Sequence, residues 1–442
     1  MNTKKTILQN LINELFKKKS PINFCRATNG IVIPINTKIN SYITKLSDLV
    51  YSNLKCKNID QEKCKKIVYK TIINLFSENK FQNNSSKKDE NNDNLKIFNE
   101  EIKQALNKST SKKIIYHILA LSPFHFSSIN MGPISITCKK EWIKKINFSP
   151  SFISTNNVEE VRKKLIESLY NNNSSLEGFS PHCNALYTAL KESNYIISVE
   201  SNNEDYYISP NSANFLAKIS LDILSLIFDK EEYFFQNTLK NERLPPETEI
   251  IFQSLDDNGL SLQNYSLNQQ SHLSFIEQCD FQKCIDYYQP IFSHILYNLT
   301  KTKNEKYYHS ILAKQWCFAL SWYAEGVRET NNAIALVKLS SCLDTLSSGG
   351  KAKGIIELVC NILNKKETDI FSGDITTHQF ISKIYNDGRS RIIHGTLEDI
   401  FQSFNDERTK LTWLARQVLI ISATRLYKYK GIDDKNAFKS MK

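Results

Sequence analysis

Between Phe380 and Ile400 the chain reads FISKIYNDGRSRIIHGTLEDI, with Arg389 and His394 separated by four residues. An imidazole moves protons near neutral pH, and a guanidinium is a permanent cation that can balance charge developing on a phosphoryl oxygen. Together they suit acid–base chemistry at a phosphodiester. The spacing alone carries little, because short patterns recur by accident. Its surroundings carry more: polar Ser390 follows the arginine, Ile392 and Ile393 supply an apolar face, and Gly395 stands where a helix ends. Five positions along an α-helix turn about 140° around its axis, so the two side chains do not share a stripe. They converge either through the long arginine arm near a frayed end or by meeting a second copy across a dimer interface.

Other chemistry-bearing patterns are weaker. The segment SSGGKAKG (347–354) ends like a phosphate-binding loop, but Thr345 stands where a glycine is needed. Ala352 replaces the hydroxyl that would hold magnesium, and the preceding segment is helical in pattern. No G-x-S-x-G or H-E-x-x-H string occurs. His117, His125, His182 and His272 lack partners at ligand spacing and read as ordinary core or surface histidines. The ten cysteines show no paired short spacings of a zinc site; Cys279 and Cys284 have no matching second pair. They read as reduced thiols of a cytoplasmic protein, with no metal and no cofactor.

The elements that must position Arg389 and His394 are helices. At 442 residues the chain exceeds one ordinary core, and two or three domains are expected. Few glycines and prolines for this length favour long elements, so the fold class is mainly α with a few short strands. Helical periodicity covers 307–330, 333–346, 354–363, 378–393 and 409–427, the makings of an all-α bundle. Upstream, helical patterns are read at 5–19, 41–54, 59–77, 96–106, 112–120, 157–170, 183–192 and 212–229. Strands are expected around Ile134–Cys138, Tyr195–Glu200 and Tyr206–Ser209. The polar run 82–95 reads as a boundary or insertion, and 241–284 as a connecting segment. The expected organisation is a sensing or regulatory region at 1–240, that connector, a helical domain at 285–432 and a tail at 433–442.

A formal net charge of +11 favours a polyanionic partner without naming it, since RNA, DNA and an anionic membrane all fit. The first helix places Ile7, Leu8, Leu11, Ile12, Leu15 and Phe16 on one face, which suits packing on the protein's own core better than lying on a membrane. The stretch 215–228 contains Lys218 and Asp222 and is too short to span a bilayer.

The string Tyr385-x3-Arg389-Ser390-x-Ile392-Ile393-His394-Gly395 resembles the R-x4–6-H signature of HEPN domains, and within them the Apea-like branch. Leu320-Ser321-Trp322-Tyr323 and Leu343-Asp344-Thr345-Leu346 resemble the earlier helices of that branch, although the acidic residue there is usually Glu. The resemblance covers about a third of the chain, residues 285–432. It implies an all-α domain that forms a homodimer and cleaves RNA without metal, with the 2′-hydroxyl as nucleophile. It further implies His394 as the proton carrier, Arg389 as the cation for the phosphorane and Ser390 as an orienting hydroxyl. Arg391 and Tyr385 would contact RNA, and Asp344 would support the site. Products would be a cyclic phosphate and a 5′-hydroxyl. Proteins of this group often act as toxins or effectors in bacterial phage defence, held back until a phage-derived trigger or a neighbouring defence protein releases them.

Plainer roles compete for each residue. His394 can cap helix carbonyls, Arg389 can pair with Asp387 or Glu398, and Asp344 can be a helix-end charge. A HEPN dimer that binds RNA or protein without cutting, and a scaffold with no nucleic acid, are the rival functions.

Overall fold

The computed structural model describes residues 2–17, 23–27, 29–53, 61–81, 90–110, 114–148, 158–170, 180–201, 209–228, 230–242, 248–254, 260–267, 275–300, 308–396 and 402–442. These residues are mostly helical, with a smaller share of strand. The chain divides into two units, Met1–Ile114 with Ser201–Ser209, and Ile115–Glu200 with Pro210–Lys442.

In the first unit, α1 (Asn2–Leu15), α2 (Thr37–Ser52), α3 (Gln61–Ser77) and α4 (Glu90–Thr110) pack around one core, beside a hairpin of β1 (Asn23–Arg26) and β2 (Val32–Ile35). Leu8, Leu11 and Ile12 of α1 are buried against Ile43, Ile72 and Phe98, so the apolar stripe of the first helix faces its own core. Because α3 and α4 share that core, the polar run between them is an insertion within a unit; residues 82–89 themselves lie outside the described set, and 90–95 are helical.

The second unit opens with β3 (Ile114–Leu121), β4 (Ser128–Met131) and β5 (Ile134–Cys138). After them come α5 (Lys139–Lys145), α6 (Val158–Tyr170), α7 (Pro181–Lys191), β6 (Tyr195–Ser201), α8 (Pro210–Ile227), α9 (Glu232–Gln236) and β7 (Thr238–Leu239). The sheet order is β4-β5-β6-β3-β7, and β5 runs antiparallel to both β4 and β6. Residues 114–120 were expected to be helical and are instead a strand. The run Ile-Ile-Tyr-His-Ile-Leu is rich in β-branched and aromatic side chains, which suit a pleated surface. The expected strand at 206–209 falls almost wholly outside the described residues.

Helices α10 (Phe275–Thr300), α11 (Ser310–Arg328), α12 (Asn332–Leu346), α13 (Lys351–Leu363) and α16 (Asn405–Lys428) form the bundle. Between α13 and α16 come a small hairpin of β10 (Ile370–Ser372) and β11 (Ile375–Thr376), then α14 (Thr377–Ser382), a π-helical segment (Lys383–Ser390) and α15 (Arg391–His394). Asn331 starts α12 by accepting the amides of Ala333 and Ile334 at 3.0 and 3.1 Å. The indole of buried Trp316 donates to Leu419 O at 2.9 Å and ties α11 to α16.

Two parts of the expected organisation differ. Helix α8, expected in the N-terminal region, packs against α11 in the same unit, through an ion pair between Asp222 and Arg328 and contact of Phe215 with Phe318. The boundary therefore falls near 114, away from 240–285. The expected connector 241–284 contains a hairpin of β8 (Thr248–Ser254) and β9 (Leu260–Leu267) and the start of α10. The tail at 433–442 folds back on the bundle: the Asp433 carboxylate accepts the Ile311 and Leu312 amides at the start of α11, and Phe438 is buried.

Candidate active site

The segment that carries Arg389 and His394 begins with a reciprocal cap, in which Thr376 and Gln379 each accept the other's backbone amide. Phe380, Ile381 and Ile384 then anchor it in the bundle. The expected single helix at 378–393 is interrupted: from Lys383 to Ser390 the backbone is π-helical, a form found mostly in short stretches and often at functional sites. Gly388 explains how the wider turn fits. It is buried against α12, and a Cβ at this position would collide with the Leu336 side chain. Lys383 pairs with Glu407 of α16 at 2.8 Å, which fixes the start of the segment and raises the lysine's pKa.

That seating brings Arg389 to Asp344. Arg389 Nη1 donates to Asp344 Oδ2 at 2.9 Å, and the guanidinium carbon lies 4.9 Å from the centre of the Tyr385 ring. Both charged side chains are largely covered, with 20% and 15% of their surface exposed. The pair is incompletely bonded: Arg389 Nε and Asp344 Oδ1 are buried with no hydrogen-bond partner among the described residues. Three residues singled out in the sequence, Arg389, Asp344 and Tyr385, are thus in contact. Of the alternative partners for Arg389, Asp387 instead pairs with Arg391 at 3.7 Å, and Glu398 lies outside the described residues.

His394 is exposed on the last turn of α15, and its imidazole makes no hydrogen bond with the described residues. It is not the helix cap. Gly395, at φ +65°, turns the chain so that the Gly395 and Thr396 amides reach Ile392 O at 3.3 Å and Arg391 O at 2.9 Å. Ser390 is half-buried, and Arg391 is about half exposed. Of the earlier WY pair, Tyr323 is buried and Trp322 is exposed.

Chemically the arrangement offers a guanidinium immobilised on two sides and, five positions further along the chain, an exposed imidazole without a hydrogen bond among the described residues. Among the described residues no group of three or more His, Cys, Asp or Glu side chains converges in a way that could hold a metal ion. The described cysteines are free thiols; burial pushes those of Cys317 and Cys342 well up, which makes them unreactive. His117 accepts the Trp142 indole N–H at Nδ1 and lies 2.9 Å from Ser198 Oγ, and burial lowers its pKa. No helix among the described residues is long and apolar enough to cross a membrane.

Sequence reasoning missed a second arginine–carboxylate site. Asp222 of α8 and Arg328 of α11 pair in the interior, and Arg328 also donates from Nε to Phe234 O at 2.7 Å and pairs through Nη1 with Glu325 at 3.3 Å. Desolvation pushes the Asp222 carboxyl up, opposed by the adjacent guanidinium. The residues lie 106 apart, so no local pattern reveals them. No family model matches the chain, and neither a curated protein nor a solved structure matches it.

Proposed function

We propose that this chain is a metal-independent endoribonuclease of HEPN type that acts as a homodimer. The observation that carries the reading is the contrast at the end of one helical segment, where Arg389 is held by Asp344 and Tyr385 while His394 stands exposed and unbonded among the described residues. In the proposed reaction the RNA 2′-oxygen attacks the adjacent phosphorus as an imidazole takes its proton. The P–O5′ bond then breaks, the leaving oxygen receives a proton, and a 2′,3′-cyclic phosphate and a 5′-hydroxyl result. Arg389 balances the charge of the phosphorane. Ser390 orients the phosphate, and Arg391 tracks the RNA backbone. A phage-defence effector or toxin of a bacterial cytoplasm, restrained until triggered, is the cellular role this activity suits.

A second reading is favoured by the Arg389–Asp344 pair itself, since a largely covered guanidinium bonded to a carboxylate also serves simply to join two helices. The protein would then bind RNA or a partner without cutting. Incubation with single-stranded RNA, with and without chelator, separates the two. Cleavage that survives chelator and is lost in both His394→Ala and Arg389→Ala supports the nuclease, whereas equal cutting by wild type and His394→Ala excludes His394 from the chemistry. RNA binding with no cutting by any form favours the module.

A further inference from the structure

Asp344, the carboxylate that bonds Arg389, stands in the last turn of α12, where the final backbone carbonyls of a helix lack partners within it. The turn that follows supplies some of them: Asp344 O accepts the Gly349 amide at 2.8 Å and the Ser347 hydroxyl at 3.0 Å, and Thr345 O accepts the Ser348 amide at 3.1 Å. Another helix supplies the rest. Gln315 Nε2 of α11 donates to Thr345 O at 2.8 Å and to Leu346 O at 3.0 Å. The same nitrogen reaches Lys435 O in the tail at 3.0 Å, so its two hydrogens are shared among three carbonyls. A flipped amide would set Oε1 against three carbonyl oxygens, which decides the end of the amide that faces them. Gln315 Oε1 is buried and has no hydrogen-bond partner among the described residues. An unbonded buried acceptor is a cost, and the donated bonds offset it.

The tail gives that nitrogen a fixed point. Asp433 caps α11, and Asn361 Nδ2 of α13 donates to Phe438 O and Met441 O at 3.1 and 2.9 Å. Ala437, Phe438 and Met441 are buried. Lys435 therefore lies between two anchored stretches, and its carbonyl has little freedom to leave Gln315. In the other direction, Thr345 and Leu346 directly follow Asp344, whose carboxylate makes one hydrogen bond to Arg389. A shift at the end of α12 passes to the guanidinium through that bond, because the other hold on Arg389, the Tyr385 ring, is a contact without a hydrogen bond to fix it.

We propose that Gln315 is a positioning residue: anchored on the tail, it fixes the end of α12 and, through Asp344, the guanidinium of Arg389. This rests on the reading of Arg389 as the cation of an RNA-cleaving site and adds how that cation is aimed. No local pattern marks Gln315, since its partners lie 30, 31 and 120 positions away.

In the full-length protein, Gln315→Met keeps the length of the side chain and removes its donors. Gln315→Lys restores them, placing three N–H groups and a positive charge at the negative end of α12. Cleavage of single-stranded RNA by each is measured well below its unfolding temperature, beside hydrogen exchange of segments 340–350 and 383–395. Gln315→Met is expected to lower kcat about ten-fold with KM little changed, and to speed exchange in both segments about three-fold or more. Gln315→Lys is expected to keep most of the wild-type kcat and exchange. Asn361→Ala, which loosens the tail, is expected to move both readouts the same way and by less. If Gln315→Met does not fold, Gln315→Asn, which withdraws the same donors by one methylene, takes its place with the same expectation in smaller measure. A Gln315→Met protein that melts earlier yet keeps wild-type kcat and wild-type exchange at 383–395 overturns the proposal, as does an equal loss in Gln315→Met and Gln315→Lys. Wild-type behaviour of Asn361→Ala overturns the link to the tail. If the wild type does not cut RNA, the nuclease reading fails, and exchange at 383–395 alone decides whether Gln315 holds this segment.

Discussion

Two arginine–aspartate pairs in the same unit are built to opposite standards. At Arg328 each guanidinium nitrogen has a partner: Nη2 the Asp222 carboxylate, Nε the Phe234 carbonyl, Nη1 the Glu325 carboxylate. The Phe234 ring also lies 5.7 Å from the guanidinium carbon. At Arg389 one nitrogen reaches Asp344, Nε has no partner among the described residues, and Asp344 Oδ1 has none either. A buried polar atom left unbonded costs about 1–3 kcal/mol, so a pair serving stability alone would be expected to resemble the first. The comparison teaches that covering a charge and satisfying it are separate properties.

The largest test of that contrast falls on the interior pair. Asp222→Ala should cost about 3–5 kcal/mol, because it leaves the Arg328 charge buried without its carboxylate. Chemical denaturation with the slope held free measures this, and a loss below about 1 kcal/mol would make the two pairs energetically alike.

Next in size is Gly388→Ala. The added methyl meets the Leu336 side chain, and overpacking of this kind costs about 1–3 kcal/mol. Thermal unfolding should register it, and Leu336→Ala in the same chain should recover part of the loss by opening space. A neutral effect would mean that the π-helical turn is not fixed by its approach to α12.

The smallest effect is expected at Asp344. A double-mutant cycle of Asp344→Asn and Arg389→Gln should return a coupling well under that of Asp222 with Arg328, since a single hydrogen bond joins the two side chains. A larger coupling would place both pairs in one class and favour the purely structural account of Arg389.

What the sequence disclosed follows the same division between local and distant causes. The bundle helices were readable because Leu411, Leu414 and Val418 in α16, like Leu336, Leu339 and Leu343 in α12, recur at the spacing that buries one face. Arg389, Asp344 and Tyr385 were identified from short strings, and the fold brings them into contact. The strand at 114–121 was misread because a short, mostly apolar run interrupted only by His117 satisfies both periods, and its neighbours in the sheet decide the outcome. The π-helical turn carried no signal of its own: residues 378–393 read as one ordinary helix, and the distortion depends on the close approach of Gly388 to Leu336, some fifty positions earlier. Asp222 and Arg328 were invisible for the same reason, as was the grouping of α8 with the bundle.

The i→i+5 turns between Lys383 and Ser390 hold more residues per revolution than an α-helix does, so this stretch stores surplus chain. A version of the protein shortened by one residue there would have a regular helix available to it. Shortening and regularising would nearly cancel, because the smaller angle each residue subtends in the wide turn is what absorbs the surplus residue. The direction in which His394 faces is therefore encoded in the number of residues as much as in their identity: loss of a second residue, with no surplus left to absorb it, would turn everything downstream by roughly 100° about the axis.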